Sequence, residues 1–248
     1  MAKESSEASE LGAQEIAEKK QGAAKETNVS LQKEATPVSE KKPEKKKQKH
    51  NFLLLGKWDM STVVVNDPGL KSYINIEPIL VPKTYGRSAG KQFHKSKKSI
   101  IERLANKLII TGHRGKKHVL SSGKFGGKNV YSLFVVKRVM EKIEQETKKN
   151  PVQVIVDAIQ NAALLEEITS YQLGGIMVRK AVVTSPQRRI DWALRYMCQG
   201  AYHKAFNNKV NIVDALTAEI MACYQKNSQG SYAIRERDRI EREAEGAR

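Results

Sequence analysis

The sequence predicts a mainly α-helical protein: a single bundle of about six helices, a protruding two-stranded β-hairpin and a disordered basic N-terminal extension. Three observations carry this. From Ser99 onward apolar residues recur at helical spacing, separated by caps and breakers. One pair of β-prone stretches interrupts them, joined by Gly174-Gly175. Residues 1–50 contain no aromatic residue and are dominated by Ala, Glu, Lys, Ser and Gln.

Residues 1–50 cannot bury enough apolar surface to offset their ordering entropy, so the reading there is a disordered Lys/Glu-rich extension. Its end, Lys41 to His50, is a basic arm that either follows a polyanion or is a solvated linker. Residues 51–98 form an irregular segment laid on the body or on RNA. They open with Phe52-Leu-Leu-Leu-Gly-Lys-Trp58 and carry turn signals at Asn66-Asp-Pro-Gly69, Pro78, Pro82 and Gly86. Trp58 is expected to anchor this segment to the body.

Residues 99–248 are the helical domain. Ser99-Ile-Ile-Glu102 reads as a capping box, with Ile101, Leu104 and Leu108 inward and Gly112 as the stop. Residues 112–128 are a basic Gly-rich loop. The second helix spans about 129–149, with Leu133, Val136, Met140 and Ile143 on one face. Asn150-Pro151 caps and starts the third, with Val152, Ile155, Val156, Ile159 and Ala163 inward. The hairpin takes residues 168–184. Ser185-Pro186 opens the fourth helix, whose stripe is Ile190, Leu194, Met197 and Ala201. Asn211 opens the fifth, and Ser231-Tyr232 the last, strongly charged one.

Charge points to a polyanionic partner. Residues 1–50 are net +2, whereas residues 51–248 carry 33 Lys/Arg against 18 Asp/Glu. A folded body this basic repels itself unless nucleic acid neutralises it. Arg188 and Arg189 fall in the first turn of the Ser185-Pro186 helix, the wrong end for cations, and a phosphate there would resolve the conflict. The alternative is a surface ion pair, for instance with Asp191. Arg179 and Lys180 sit on the second hairpin strand and face opposite ways, so one of them is expected to reach RNA. Lys91, Lys95, Lys97 and Lys98 precede the first core helix; a solvated face is the alternative. Arg114, Lys116 and Lys117 lie in the Gly-containing loop, which either tracks a phosphate backbone or is mobile. Trp192, Tyr196 and His203 form a stripe beside the apolar one and are read as core edge rather than a base platform.

Other classes are disfavoured. The five His residues lack metal spacing, no nucleophile elbow or Walker-type loop is present, and no cofactor is expected. Gly123-Lys-Phe-Gly-Gly-Lys128 lacks the Ser or Thr of a phosphate loop. A free-standing DNA-binding regulator would want a compact pair of helices in a dimer. Cys198 and Cys223 fall on apolar helix faces and read as core residues in a reducing compartment. No run of 18 apolar residues predicts a membrane span, and the polar N-terminus does not read as a signal peptide, so a cytosolic location is expected.

The blocks Gly56-Lys-Trp58, Asn66-Asp-Pro-Gly-Leu-Lys-Ser-Tyr-Ile74, Gly86-Arg87, Ile101-Glu-Arg-Leu104 and Asn150-Pro-Val-Gln-Val-Ile155 stand in a characteristic order. Gly174-Gly175, Ser185-Pro-Gln-Arg-Arg189 and Ser231-Tyr-Ala-Ile234 complete the set. Together they make residues 52–248 resemble the seventh universal small-subunit ribosomal protein in its archaeal and eukaryotic form. The resemblance implies a structural, non-enzymatic component of the small-subunit head in the cytoplasmic ribosome. It implies binding to the 3′ major domain of small-subunit rRNA, nucleation of head assembly, and a hairpin near the exit-site tRNA and the mRNA path. Neighbouring head and platform proteins would be partners, and Arg87 joins the RNA-binding candidates. The chain departs from the family in three places. Leu164-Leu-Glu-Glu167 stands where relatives commonly carry a Pro-Arg-Glu-Asp-like stretch, Ser170-Tyr-Gln-Leu173 is less basic than in many relatives, and residues 1–50 have no counterpart.

Overall fold

A computed structural model describes residues 52–87, 89–111, 113–114, 117–118 and 125–248, with backbone only at 113–114 and 117–118. The N-terminal extension, the predicted helix stop Gly112 and the candidate Lys116 lie outside the described residues. Among the described residues, two one-turn helices, α1 (Pro68–Lys71) and α2 (His94–Lys97), precede six longer ones. These are α3 (Ile100–Leu108), α4 (Asn129–Thr147), α5 (Pro151–Ala162), α6 (Pro186–Ala205), α7 (Ile212–Tyr224) and α8 (Tyr232–Glu245). The hairpin β3 (Glu166–Leu173)–β4 (Ile176–Val183) lies between α5 and α6, starting two residues earlier than the β-prone pattern alone indicates. Within the loop read from the sequence, β(His113–Arg114) and β(Lys117–His118) form a minimal antiparallel pair, β1–β2.

The periodic positions form one core. Leu104, Val136, Met140, Ile143, Ile155, Ile159, Ile190, Leu194, Met197, Ile220 and Cys223 are all buried in it. Helix α7 packs against α4, α5 and α6 and so occupies the middle of the bundle. The irregular segment enters the same core through Leu54, Trp58, Met60, Leu70 and Ile74. Trp58 Nε1 donates to Glu144 on α4 at 2.9 Å, which makes it the expected anchor.

Local caps explain only some helix starts. Asn150 Oδ1 accepts from Val152 N at 3.0 Å with Pro151 in the first turn, and Ser231 Oγ accepts from Ile234 N. The predicted capping box does not form. Ser99 makes no side-chain cap, and Glu102 is buried and instead accepts from Thr84 N (3.1 Å) and Thr84 Oγ1 (2.7 Å). A partner from the irregular segment has taken the carboxylate that local sequence assigns to the cap. Ser185 starts its helix without the side-chain cap bond expected of a serine at that position, whereas Asn211 opens the fifth helix as expected, also without a side-chain bond.

Glu219 on α7 is fully buried and holds three elements together. It accepts from Lys204 Nζ on α6 at 2.6 Å, from Ser231 Oγ at 2.8 Å and from Ala233 N in the first turn of α8 at 3.0 Å. Gly200 on α6 makes this approach possible. A Cβ there would fall 2.7 Å from Tyr232 Cβ and 2.8 Å from Glu219 Cδ.

Candidate nucleic-acid interface

The 20-residue helix α6 begins at an open pocket of about 410 Å³. Pro186 carries no N–H, Ser185 offers no side-chain cap, and the first-turn N–H groups have no carbonyl of their own helix to bond. The helix dipole therefore presents partial positive charge to the pocket. Residues three and four apart on α6 share a face, so Arg188, Asp191, Trp192 and Arg195 all line it. Lys95 from α2 and Lys107 from α3 complete a ring of four cations, with Tyr73 and Phe93 beside them.

Asp191 is the carboxylate among these cations. It receives Lys95 Nζ at 2.9 Å and Arg103 Nη2 at 3.3 Å, with Lys107 Nζ at 3.9 Å. Burial pushes its pKa up, but the Lys95 hydrogen bond and the charges of Lys107, Arg103 and Lys95 outweigh this and hold it below the ordinary carboxylate value. Burial lowers the Arg103 and Lys107 values, partly offset by Asp191. One carboxylate thus gathers three cations while leaving the site positive, which is what a bound phosphate requires.

The adjacent arginines do different things. Arg188 is half exposed and pairs with Glu167 at the hairpin base, Nε lying 2.6 Å from one carboxylate oxygen. Arg189 is only 13% exposed; its Nε donates to the Leu164 carbonyl at 2.8 Å and its Nη2 to Asp67 at 3.1 Å. Its guanidinium braces the start of α6 against the irregular segment and the entry to the hairpin. Arg188 and Arg195 both lie 5.2 Å from the centre of the Trp192 ring, which is half-buried and also packs on Tyr196. Tyr196 and His203 in turn meet Tyr232 of α8, in keeping with a core edge.

The other candidates spread along this side and the hairpin. Lys91, Lys95 and Lys97 are exposed and Lys98 is half-buried; of the four, only Lys95 lines the pocket. Arg87 is exposed, and its backbone N–H closes a turn onto Thr84. Arg179 and Lys180 are both exposed, opposite Ser170 and Thr169 respectively. Arg114 and Lys117 lie in the minimal β pair, and Lys116 lies outside the described residues. Gly174 and Gly175 adopt φ of +57° and +88°, the positive values a tight hairpin turn needs. In the departing stretch Leu164-Leu-Glu-Glu167, the two carboxylates have structural partners: Glu167 holds Arg188, and Glu166 accepts from Arg248 at 2.6 Å. Sequence reasoning missed Arg103, Lys107 and Arg195. The 188–191–195 spacing was a usable signal for Arg195, whereas Arg103 and Lys107 converge only through packing of α3 on α6.

Among the described residues no cluster of His, Cys, Asp or Glu fits a metal ion, and no helix is long and apolar enough to cross a membrane. Burial pushes the thiols of Cys198 and Cys223 up to about 12, which suits core residues rather than nucleophiles.

Comparison with known proteins identifies the family. The family model of ribosomal protein S7p/S5e matches residues 71–248. The small ribosomal subunit protein uS7 of Nanoarchaeum equitans is 46% identical over 195 residues, covering 79% of this chain and 98% of its own. That of Methanococcus maripaludis is 43% identical over 196 residues, covering 79% and 98%. That of Archaeoglobus fulgidus is 43% identical over 200 residues, covering 81% and 97%. The resemblance read from the motifs is thereby borne out over nearly the whole length of these relatives, and the chain belongs to the ribosomal protein S7p/S5e family.

Proposed function

We propose that this protein is a structural, non-enzymatic component of the small subunit of the cytoplasmic ribosome. It binds the 3′ major domain of small-subunit rRNA and nucleates assembly of the head. The observation that carries this is the cation-ringed pocket at the uncapped start of α6, set in a family member whose body is strongly basic. Affinity comes mainly from phosphate neutralisation, with RNA shape selecting the site. Arg188, Arg195, Lys95 and Lys107 supply the central grip; Arg87, Lys91, Lys97, Lys98, Arg114, Lys116 and Lys117 extend it. Arg179 or Lys180, on opposite faces of β4, brings the hairpin to RNA, near the exit-site tRNA and the mRNA path. Neighbouring head and platform proteins are the remaining partners.

The test is salt-dependent binding of the full chain to a 3′ major-domain rRNA fragment, with mixed tRNA and duplex DNA as competitors. Tight binding that survives both competitors is expected. Equal displacement by all polyanions would reduce the protein to a generic cation and refute the reading.

A further inference from the structure

The pocket at the start of α6 has more in its walls than a phosphate uses. Its volume of about 410 Å³ lies within the range of about 300–1,000 Å³ usual for ligand sites. Three aromatic residues, Tyr73, Phe93 and Trp192, line it together with Arg188, Arg195, Lys95 and Lys107. Phe93 is 60% exposed and takes a φ of +55°, a left-handed conformation that bulky side chains rarely adopt. Trp192, read from the sequence as core edge, is half-buried, with Arg188 and Arg195 each 5.2 Å from its ring centre. Tyr73 is held in the wall by its carbonyl, which accepts from Arg103 Nη1 at 3.0 Å.

These walls separate the candidate occupants. The lining itself carries the charge: four cations stand against one carboxylate, Asp191. Acidic peptide side chains would meet those cations and leave the rings without a stacking partner. So would an RNA duplex, whose bases are paired and stacked on one another. An unpaired nucleotide meets both features. Its base stacks on aromatic faces and guanidinium planes, and its phosphate meets the cations. Ser185 and Gln187 also line the pocket and supply donors and acceptors for a base edge.

We infer that this pocket takes a single unpaired nucleotide of RNA, its base against Phe93 and Trp192 and its phosphate among Arg188, Arg195, Lys95 and Lys107. The inference rests on the RNA-binding reading above and deepens it, since that reading needs only backbone phosphates at the start of α6. It makes the pocket a reader of an unstacked base as well as a grip on the backbone.

Fluorescence reads this site directly. The chain has two tryptophans, and Trp58 is 4% exposed and hydrogen-bonded to Glu144, so a base that stacks from solvent quenches Trp192. The full chain would be titrated with octaadenylate and with an abasic strand of the same length, which carries the same phosphates. Octaadenylate is expected to bind about tenfold more tightly, the scale of a base–aromatic stack, and it alone is expected to quench the Trp192 emission. Phe93→Leu keeps apolar bulk at an exposed position, so the melting temperature should hold. It is expected to lower octaadenylate affinity about tenfold and to leave abasic binding in place. Equal affinity of the wild type for both strands, unquenched emission, or a full preference that survives Phe93→Leu would overturn the inference. Retained binding of the 3′ major-domain fragment alongside any of these results would sink the base pocket alone. Failure of the wild type to bind that fragment would sink the parent reading, and the base pocket with it.

Discussion

Arg189 donates to the Leu164 carbonyl and to Asp67, with little of its side chain in contact with water. Arg188, one residue earlier, keeps half its side chain in solvent and leans on Glu167. The helix turns about 100° per residue, so neighbours in sequence reach different surroundings. Exchange of Glu167 for a phosphate costs Arg188 little, since an exposed pair contributes about 0–1 kcal/mol. The same exchange at Arg189 would strand a carbonyl and a carboxylate. Arg189→Ala is therefore expected to cost about 1–3 kcal/mol in urea denaturation. Arg188→Ala should leave the denaturation midpoint almost in place and lower the salt slope of rRNA binding by about one. The reverse pattern, with Arg188 stabilising the fold and Arg189 setting the slope, would refute this division.

At the scale of elements, legibility follows the range of the interaction. Asn150 and Ser231 are readable caps because donor and acceptor lie within three residues. The hairpin is readable because Gly174-Gly175 meets its own backbone requirement. Glu102 misleads because Thr84, outside its helix, competes for it. Glu219 gives no sequence signal at all, since its donors come from α6 and the start of α8 and Gly200 supplies the space. The α6 pocket divides the same way: Arg188 is visible from helix position, while Lys107 enters only through tertiary packing. The Glu219 cluster is expected to set the docking of α8. Glu219→Ala removes the acceptor from Lys204, Ser231 and Ala233 N together, at a cost of about 3–5 kcal/mol. Limited trypsin digestion should then give early cuts at Arg235, Arg237, Arg239 or Arg242 that the unsubstituted protein lacks, before amides of α5 lose protection from exchange. Simultaneous loss of both would show that α8 is not a separable unit.

Across the whole molecule, positive charge is unevenly placed. Helix α8 carries four Arg against five Asp or Glu, many paired along its own surface, as Arg239 is with Glu236 and Glu243. At the start of α6, by contrast, Arg188, Arg195, Lys95 and Lys107 converge on one pocket in which Asp191 is the single lining carboxylate. Cations matched by an equal number of nearby carboxylates release few counterions when RNA binds, so local excess rather than total number decides their effect. Arg195→Ala combined with Arg188→Ala and Lys95→Ala is expected to lower the salt slope by up to about three. Affinity should fall most at low ionic strength, where screening is weakest. Arg239→Ala, which also removes a positive charge, should leave the slope unchanged. Binding isotherms from low to moderate salt on both variants decide it. An equal loss per charge removed would mean that the RNA senses only net charge and that the α6 pocket has no special place in recognition.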